Sequence, residues 1–402
     1  MVRVLYISNL YPQLDNASSG VFVEKRLSIA DKYGIVHRVY STFFTETMPL
    51  TIIRKVLHKD YRPVNKNGWY RMINFKVNLV NFLRGELYRK FNNRLYESYV
   101  HKKSVSAALS IKNELDSNFD IIHAHGMYKV GAGIIAMYLS EMLGKPYVVT
   151  LHGSDVNYEM PKIKTLFLNV LKKASKVIFV SDALRKRAIE LGYDESNSIV
   201  IPNGYDPEIF YPVDKIAVRK ELGIYRKSTY YIGFVGNLIK VKRADKLGEI
   251  FHYIANKVKD VKFIVVGDGP LLSKVKKETK DLDIIFTGRL EQREVAKWMN
   301  AMDVMILPSR NEGFGAVVIE AQACGTAVVG SSNGGIPEAI GFNEFVVEEG
   351  EDFERRFADK VIEVLKNGYD SKILTERVKD YTWESIVRKE VEVYRNVNKL
   401  EI

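Results

Sequence analysis

The chain contains a single cysteine, Cys324, so no disulfide can form within it. One thiol suits a reducing compartment, and we expect Cys324 to be a small buried apolar residue. Nowhere does the sequence hold the run of about 20 apolar residues that spans a bilayer. The first ten residues, MVRVLYISNL, form too short an apolar run for a signal peptide and predict a first strand. These absences together predict a cytoplasmic protein.

Several catalytic motifs are missing as well. The sequence holds no cluster of metal-ligand residues, no Gly-x-Ser-x-Gly, and no nucleophile beside an activating base. Asp281 and Asp283 mimic a metal-binding D-x-D, but they precede a predicted strand, so we expect a turn or capping role. The segment VGDGPLL at 266–272 has Leu272 where a dinucleotide-binding motif needs its third glycine. We therefore predict neither a metal nor a cofactor.

What the chain does contain is an alternation of strand-like runs and longer helical patterns. Its 402 residues are enough for two or three domains, and its composition, 46% hydrophobic and 27% charged, is typical of a globular protein. The alternation predicts parallel sheets and an α/β class. Strand candidates lie at 2–8, 35–40, 119–125, 146–153, 176–181, 198–202, 230–236, 261–267, 283–288, 303–309 and 326–332.

Two such series of strands predict two domains. The segment PNGYDPEIFYP at 202–212 carries three prolines and a glycine, which discourage regular structure, so it is the expected joint. We expect an N-terminal domain over 1–207 and a C-terminal domain over 208–381. A final amphipathic helix is expected over 382–402, with Thr382 as its N-cap.

The net charge of +11 is concentrated in one segment, residues 51–103, which we call the basic insert. It holds thirteen Lys and Arg against three acids. Between Ile73 and Val100 apolar residues recur every three or four positions, which predicts one amphipathic helix with cations on its flanks. Its apolar stripe consists of Leu79, Leu83, Leu87, Phe91, Leu95 and Tyr99.

Three interpretations of the basic insert stay open. The stripe can pack on the N-terminal domain while the charge forms a solvated face. The insert can instead dock on an anionic membrane surface, which attracts Lys and Arg, and this is the preferred interpretation. Cations mixed with aromatic residues can also bind single-stranded nucleic acid, which we rank lowest.

The most informative stretch is NEGFGAVVIEAQACG at 311–325, which follows a predicted strand. Ala316 is expected to begin a helix that Gly325 ends. The first turn of such a helix offers unpaired backbone N–H groups at the positive end of the helix dipole, where a phosphate or diphosphate binds. The residues of that turn are Phe314, Gly315, Ala316 and Val317.

Glu320 lies on the same face of this predicted helix as Ala316, Ala323 and Cys324. A carboxylate on a stripe of small apolar residues needs a partner, because burying a lone charge is unfavourable. Hydroxyl groups of a ribose or hexose can donate hydrogen bonds to it. The pattern therefore predicts ligand contact at Glu320.

This stretch, EGFGAVVIE followed by CGTAVVGSSNGGIPE, resembles the signature of the retaining nucleotide-sugar glycosyltransferases of family 4. Members of that family have the GT-B fold, in which two Rossmann-like domains face each other across a central cleft. The resemblance implies that Glu312 contacts the transferred sugar and Glu320 the ribose, while the backbone of Phe314 to Val317 holds the diphosphate. It also implies that the C-terminal helix crosses back to the N-terminal domain.

Two more segments of the C-terminal half carry donor contacts in this resemblance. GNLIKVKRADKL at 236–247 resembles the family's G-R-L-x-x-x-K-G, which makes Lys242 the diphosphate lysine. Asn237 stands where Arg is usual, and Arg243 stands where Gly is usual, so Arg243 is a candidate for the missing charge. TGRL resembles the segment whose backbone meets the base, and its contact residues are Arg289 and Leu290.

In the N-terminal half the resemblance is carried by strand ends and one loop. LHGSDVN places His152 as the family's sugar-contacting histidine, with Asp155 on the acceptor side. HAHG lies at a neighbouring strand end, where His125 is expected on the acceptor side. His123 alternates onto the opposite face and is expected to be structural. The loop at 11–22 resembles the family's glycine loop, with Gly20 near the donor phosphates or the acceptor.

Together these features imply a retaining, metal-independent transfer of a sugar from a nucleoside diphosphate sugar to an acceptor. The implied mechanism is front-face: the leaving diphosphate takes the acceptor proton, and catalysis rests on positioning and charge stabilisation. A membrane-docked insert suits a lipid-linked acceptor in surface polysaccharide or glycolipid synthesis, on a protein peripheral to the cytoplasmic membrane face. Two rival functions are a nucleotide-sugar epimerase on the same fold and a nucleic-acid-binding protein that uses the insert.

Overall fold

A computed structural model describes residues 2–8, 10–11, 20–46, 52, 70–77, 79–115 and 118–399. The chain forms two compact units. The first unit comprises residues 1–202 and 386–402, and the second comprises residues 203–385. The chain thus leaves the first unit after Pro202, within the proline-containing segment expected to form the joint.

The first unit is built on a parallel sheet whose strands lie in the order β3-β2-β1-β4-β5-β6-β7. They are β1 Val4–Ser8, β2 Val36–Glu46, β3 Tyr70–Val77, β4 Ile121–His125, β5 Tyr147–Leu151, β6 Lys176–Phe179 and β7 Ser198–Val200. The helices of this part of the chain are α1 Val21–Lys32, α2 Leu79–Phe91, α3 Asn93–Glu114, α4 Ala132–Leu143, α5 Lys164–Lys173 and α6 Asp182–Glu190. The strand order reverses between β1 and β4, and ligands of open α/β sheets bind at such a point.

The second unit repeats this plan with the order β10-β9-β8-β11-β12-β13. Its strands are β8 Tyr230–Val235, β9 Val261–Val266, β10 Ile284–Gly288, β11 Val304–Leu307, β12 Ala327–Ser331 and β13 Val346–Val347. Its helices are α7 Lys215–Glu221, α8 Leu247–Ala255, α9 Leu272–Glu278, α10 Gln292–Ala301, α11 Ala316–Ala323, α12 Ile336–Ile340, α13 Phe353–Asn367 and α14 Ser371–Val378. Here the order reverses between β8 and β11.

The sheets form where the sequence has short runs of Val, Ile, Leu and Phe. Every residue of β1, β4, β5, β9, β11 and β12 is buried. Strands covered by helices on both faces need no polar alternation, because neither face meets water. The two parallel sheets confirm the predicted α/β class.

The last helix, α15 Trp383–Lys399, joins the first unit from Ile386 onward. Glu390 of this helix and Arg26 of α1 form a buried ion pair, with 2.9 Å between the guanidinium Nε and the carboxylate Oε1. The Tyr394 hydroxyl lies 2.6 Å from Nδ1 of His123 and 3.2 Å from the Tyr6 hydroxyl. These buried polar contacts fix the helix on β1 and β4.

The prediction of one helix from Ile73 to Val100 is wrong in two places. Residues Tyr70–Val77 form β3 instead, because they pair with β2 at eight consecutive positions and extend the sheet. Asn92 interrupts the remaining helical stretch, because its side chain caps α3 by accepting from the Leu95 N–H at 3.0 Å. Much of the basic insert, residues 53–69 in particular, lies outside the described residues.

One of the three interpretations of the basic insert, in which the apolar stripe packs on the N-terminal domain, does not hold for four of the stripe residues. Leu83, Leu87, Phe91 and Leu95 are exposed, whereas Tyr96 and Val100 are buried. The side chain of Leu79 is outside the described part. The helices therefore turn a different face to the sheet from the one expected. Within the described ranges, no helix combines the length and the apolar character needed to cross a membrane.

Candidate functional site

The second unit brings its predicted site residues together at the reversal point of its sheet. Lys242 ends a short 3-10 turn in the loop that follows β8, and Glu312 lies in the loop that follows β11. These are adjacent parallel strands, so their carboxyl ends open at the same edge. Residues far apart in the sequence are thereby placed where an α/β sheet binds its ligand.

Lys242 and Glu312 form an ion pair through Nζ and Oε1. The same carboxylate oxygen accepts a hydrogen bond from the Ser309 hydroxyl at 3.0 Å. Both charged side chains are mostly buried but reach the surface. A ligand with an anionic group and a hydroxyl can therefore meet a cation and a carboxylate side by side.

The backbone around Glu312 is held by the loop that follows β12, a feature that the sequence analysis did not assign. Gly335 donates its N–H to the Glu312 carbonyl at 3.1 Å. Gly334 has φ +59°, and a Cβ there would lie 2.2 Å from that carbonyl oxygen. The paired glycines of SSNGG were the available sequence signal, since such close backbone approach requires glycine.

Arg243 does not lie free beside the diphosphate seat, contrary to its expected role in donor binding. Its guanidinium donates to the Pro308 carbonyl at 2.8 Å and pairs with Glu349 and with Glu354. It also stacks over the Phe353 ring, 3.9 Å from its centroid. These contacts bury Arg243 and tie the β8 loop to the β11 loop.

Helix α11 begins at Ala316 as predicted, with Gly315 before it at φ +92°. Within α11, exposed surface remains only on Ala316, Val317 and Glu320, on one side of the helix. Phe314 turns its ring inward and stacks on Tyr381, at 6.0 Å between centroids. The backbone of this first turn is therefore open to a ligand while the ring of Phe314 anchors it.

Glu320 is the isolated carboxylate of this helix. Among the described residues, neither a hydrogen bond nor an ion pair reaches its carboxyl group. Part of its side chain reaches the surface, yet the surrounding protein raises its pKa to about 8 because burial disfavours the charge. Cys324, one turn further, is buried as expected. Glu320 thus retains its full hydrogen-bonding capacity for a ligand.

The remaining donor candidates lie on neighbouring loops. Asn237 and Arg289 are exposed, and Leu290 is partly exposed. Asn237 follows β8 directly, and Arg289 and Leu290 follow β10, two strands away in the sheet. These three residues therefore extend the same edge of the sheet.

The glycines of VGDGPLL serve packing between loops. A Cβ on Gly267 would lie 2.0 Å from the Gly236 carbonyl oxygen, and one on Gly269 would lie 2.6 Å from the Leu238 carbonyl oxygen. The segment therefore supports the β8 loop at close range. The segment is the turn between β9 and α9.

In the first unit, the two predicted site histidines meet at the carboxyl ends of β4 and β5. Nδ1 of His125 lies 3.3 Å from Nε2 of His152. His125 Nε2 and His152 Nδ1 are buried and have no hydrogen-bond partner among the described residues. Burial lowers the pKa of both imidazoles well below the ordinary value, so both rings are neutral near pH 7.

His123 has the structural role expected for it, but the expected opposite face is wrong: His123 and His125 are two residues apart in β4, so they share a face, with 4.2 Å between their ring centroids. Its Nδ1 contacts the Tyr394 hydroxyl, and its Nε2 lies 2.8 Å from the Thr150 hydroxyl. Burial lowers its pKa to about 3. Both ring nitrogens of His123 have partners inside the first unit, whereas His125 and His152 each keep one ring nitrogen without a partner among the described residues.

Asp155 was expected on the acceptor side, but its carboxylate is engaged by the turn that contains it. Oδ2 accepts from the His152 N–H at 2.9 Å, and Oδ1 accepts from Gly153 and Val156 at 2.8 and 3.0 Å. Its side chain is buried. Asp155 therefore fixes the turn that presents His152.

Gly20 lies where helix α1 begins, with φ +67°. A Cβ at this position would lie 2.4 Å from the Tyr11 nitrogen, so only glycine fits against the chain leaving β1. Phe22, in the first turn of α1, packs on His152 at 4.7 Å between ring centroids. Residues 12–19 of the predicted glycine loop lie outside the described part of the chain.

A search of the described residues finds no group of three or more His, Cys, Asp or Glu that could hold a metal ion. Asp283 of the D-x-D mimic pairs with Arg226 and Lys262, and Asp281 contacts His252. The two aspartates thus serve separate structural contacts.

Comparison with known families gives matches in both units. Residues 74–209 match the family described as "Glycosyltransferase Family 4", and residues 229–367 match the one described as "Glycosyl transferases group 1". Together these ranges cover more than half of the chain.

Individual relatives agree with this assignment. An N-acetyl-alpha-D-glucosaminyl L-malate synthase of Bacillus anthracis is 31% identical over 66% of this chain and 71% of its own length. A Bacillus subtilis glycosyltransferase attributed to teichuronic acid biosynthesis is 29% identical over 86% of this chain and 85% of its own. The Anabaena protein HepE, solved in complex with UDP, has a TM-score of 0.69 at 19% identity and covers 98% of this chain and 100% of its own. The last likeness confirms the GT-B fold.

Proposed function

Since this chain belongs to the family 4 glycosyltransferases, we propose that it transfers a sugar from a nucleoside diphosphate sugar to an acceptor, with retention of configuration and without a metal. The observation that carries the donor assignment is the Lys242–Glu312 pair at the reversal point of the second sheet. At this point a cation and a helix start suit a diphosphate, and a carboxylate suits the hydroxyl groups of a sugar.

Each donor group has a residue of matching chemistry. We assign the diphosphate to Lys242 and to the backbone N–H groups at the start of α11, which bind anions. Glu320 accepts hydrogen bonds from the ribose hydroxyls, and Glu312 accepts from the transferred sugar. Asn237, Arg289 and Leu290 stay candidates for the outer part of the nucleotide.

In the first unit, we propose that His152 contacts the sugar and that His125 supports it. Two neutral imidazoles offer both donors and acceptors to hydroxyl groups without attracting a second anion. Asp155 and Gly20 act indirectly: Asp155 holds the turn of His152, and Gly20 sets the start of α1 against it.

The proposed reaction has a front-face course. The bond between the anomeric carbon and the diphosphate oxygen breaks, and the acceptor oxygen bonds to the same face of that carbon. The departing diphosphate takes the acceptor proton, so no protein nucleophile is needed. Lys242 and the α11 start stabilise the charge that grows on the leaving oxygen, which is the step where preorganised charge is most effective.

We propose that the acceptor is lipid-linked and that the protein works at the cytoplasmic membrane face in surface polysaccharide or glycolipid synthesis. The charge of the basic insert supports this proposal. The relative attributed to teichuronic acid biosynthesis also supports a surface polysaccharide. The relative named N-acetyl-alpha-D-glucosaminyl L-malate synthase makes a small soluble acceptor the alternative that a test must include.

A transfer assay tests the proposal. The enzyme is incubated in EDTA with UDP-, GDP- and ADP-sugars, with either a bacterial lipid extract or small hydroxy acids as acceptor, and nucleoside diphosphate release is followed. We expect release that depends on acceptor, and NMR of the product should show the anomeric configuration of the donor. Epimerised donor without acceptor would instead indicate the epimerase, and an inverted product would contradict the retaining course.

A further inference from the structure

Helix α2 turns its apolar side away from the protein. Leu83, Leu87 and Phe91 are 56%, 57% and 69% exposed, and Leu95 at the start of α3 continues the row at 45%. The spacing of four residues places Leu83, Leu87 and Phe91 along one face of α2, since residues four apart share a helix face, and Leu95 follows beyond the interruption at Asn92. We call Leu83, Leu87, Phe91 and Leu95 the outer stripe.

Among the described side chains of α2, Gly85 and Arg89 lie on the opposite side and contact the rest of the first unit. Gly85 is buried, and a Cβ there would lie 3.0 Å from the ring of Tyr99. Arg89 donates to the Tyr128 hydroxyl at 2.7 Å, and its Nε lies 3.6 Å from the Glu159 carboxylate. A surface helix normally buries its apolar face. These contacts hold α2 in the reverse orientation.

The charges beside the outer stripe are mainly positive. Arg84, Lys90, Arg94 and Lys102 are exposed on α2 and α3. Two acids near the outer stripe, Glu86 and Glu97, have partners in the protein, although the Glu86 side chain stays 42% exposed. Glu86 pairs with Lys129 at 3.0 Å, and Glu97 accepts from the Leu166 N–H at 2.5 Å. The outer surface of α2 therefore combines exposed leucines with a net positive charge.

The inner contacts of α2 lie on the loops that carry the site histidines. Tyr128 and Lys129 follow His125 at the end of β4, and Glu159 ends the turn that follows His152 at the end of β5. A helix with its side chains is about 10–12 Å thick. The site loops of the first unit thus lie one helix diameter behind the outer stripe.

We propose that the outer stripe docks the first unit on an anionic lipid bilayer, with α2 lying in the plane of the interface. A helix with an apolar face and flanking Lys and Arg binds in this way, since leucines enter the acyl boundary and cations meet anionic headgroups. The inference rests on the proposed function in one respect: a lipid-linked acceptor would reach the histidine loops directly from the surface on which α2 lies.

The composition of the stripe favours a membrane over the other occupants. Three of its four residues are leucine, whereas single-stranded nucleic acid is held by stacking on aromatic rings. A second copy of this face would bring its cations against like charges. Neither occupant matches leucines ringed by cations as a bilayer of anionic lipid does.

The test is cosedimentation of the full chain with vesicles of equal parts phosphatidylcholine and phosphatidylglycerol, or of phosphatidylcholine alone. We expect binding to the anionic vesicles that weakens in high salt, because surface charge attraction is screened. Leu87→Ser/Phe91→Ser should lower the partition coefficient about tenfold or more. Ile373→Ser in the second unit is the matched control, since Ile373 is also 57% exposed, and it should bind like wild type.

Two results of cosedimentation would overturn the inference: wild-type protein that does not bind anionic vesicles, or a Leu87→Ser/Phe91→Ser variant that binds them as wild type does. A concentration-dependent dimer that Leu87→Ser/Phe91→Ser disrupts, seen by sedimentation velocity without lipid, would also overturn it in favour of a second copy. Nucleotide affinity measured in the same preparations separates the two proposals. If wild type binds nucleotide but not vesicles, the docking surface is contradicted and the donor site is not. If wild type binds vesicles but not nucleotide, the donor site is contradicted and the docking surface is not.

Discussion

Lys242 and Glu312 are 70 positions apart in the sequence, and their charged side chains pair where the strand order of the second sheet reverses. In the proposed function they serve different parts of one donor, the diphosphate and the transferred sugar. The pair holds both side chains in place without a ligand, and Ser309 fixes the carboxylate from its other side. A donor then has to exchange this ion pair for its own contacts, while the side chains need little rearrangement.

Lys242→Met should weaken nucleoside diphosphate binding about tenfold to a hundredfold, because a hydrogen bond to a charged group contributes about 1.5–3 kcal/mol. Isothermal titration calorimetry measures this. Lys246→Met is the matched control: Lys246 lies in the next turn and pairs with Glu249 on the surface. Unchanged affinity in Lys242→Met, or an equal loss in both variants, would remove Lys242 from the donor site.

Glu320→Gln should stabilise the ligand-free protein at alkaline pH. Because the pKa of Glu320 is raised from 4.5 to about 8 in the folded state, folding favours the protonated form. The free energy of unfolding therefore decreases as pH rises from about 4.5 to 8, while a glutamine is insensitive to pH. Thermal melts should show wild type and variant alike near pH 4.5 and the variant more stable above pH 8. Parallel curves would contradict the burial of this carboxyl group.

Donor affinity should also depend on the protonation of Glu320. Ribose hydroxyls donate to the carboxylate, so binding favours loss of the proton, and affinity for a nucleotide sugar should increase up to about pH 8 and then level off. Titrations in buffers of different ionisation enthalpy should register proton release in wild type. Glu320→Gln should bind the nucleotide sugar more weakly, with an affinity that does not depend on pH. If the affinity of the variant still depends on pH, another group causes the effect.

Gly334→Ala should reduce activity at least tenfold. Its Cβ would collide with the Glu312 carbonyl oxygen, at 2.2 Å, so the loop bearing Glu312 must shift. Gly223→Ala separates this effect from backbone strain. Gly223 has a similar φ of +67° with open space around it, so both variants should lose about 1–2 kcal/mol of stability from the left-handed conformation. Equal activities of Gly334→Ala and Gly223→Ala in steady-state assays would show that the shift of the Glu312 loop does not affect the site.

The buried pair of Arg26 and Glu390 should act as a unit in holding the C-terminal helix. Replacing either residue by Met leaves an uncompensated buried charge, which lowers the free energy of unfolding by about 3–5 kcal/mol. The double replacement should recover much of that loss. Urea unfolding of the four proteins forms a double-mutant cycle, and additive losses would show that the two side chains stabilise the fold independently.

The parts that the sequence predicted well depend on short-range patterns. The buried strands form continuous apolar runs, and the start of α11 at Ala316 follows from small residues after a glycine. Glu320 could be named from the helical face that it shares with small residues, and Lys242 and Glu312 from the resemblance of their segments to the family motifs. A parallel sheet then brings them to one edge, since its loops open at the carboxyl ends of the strands.

The parts that could not be predicted depend on contacts between distant segments. β3 forms because β2 offers a partner along its whole length, which outweighs the helical spacing of the insert. The outer stripe faces solvent because Arg89 and Glu86 are held by the loops after β4 and β5. Arg243 is directed away from the donor by Glu349 and Glu354, more than a hundred positions later. No local pattern contains these partners.

The central claim is that the second unit binds a nucleoside diphosphate through Lys242. It is tested most directly by thermal shifts in EDTA with UDP, GDP, ADP, NAD and a single-stranded oligonucleotide, on wild type and on Lys242→Met. A ligand at a hundred times its Kd stabilises by about 2.7 kcal/mol, which moves the melting point by several degrees. We predict such a shift with a nucleoside diphosphate in wild type and its loss in the variant. A shift with the oligonucleotide alone, or one that Lys242→Met leaves unchanged, would contradict the claim.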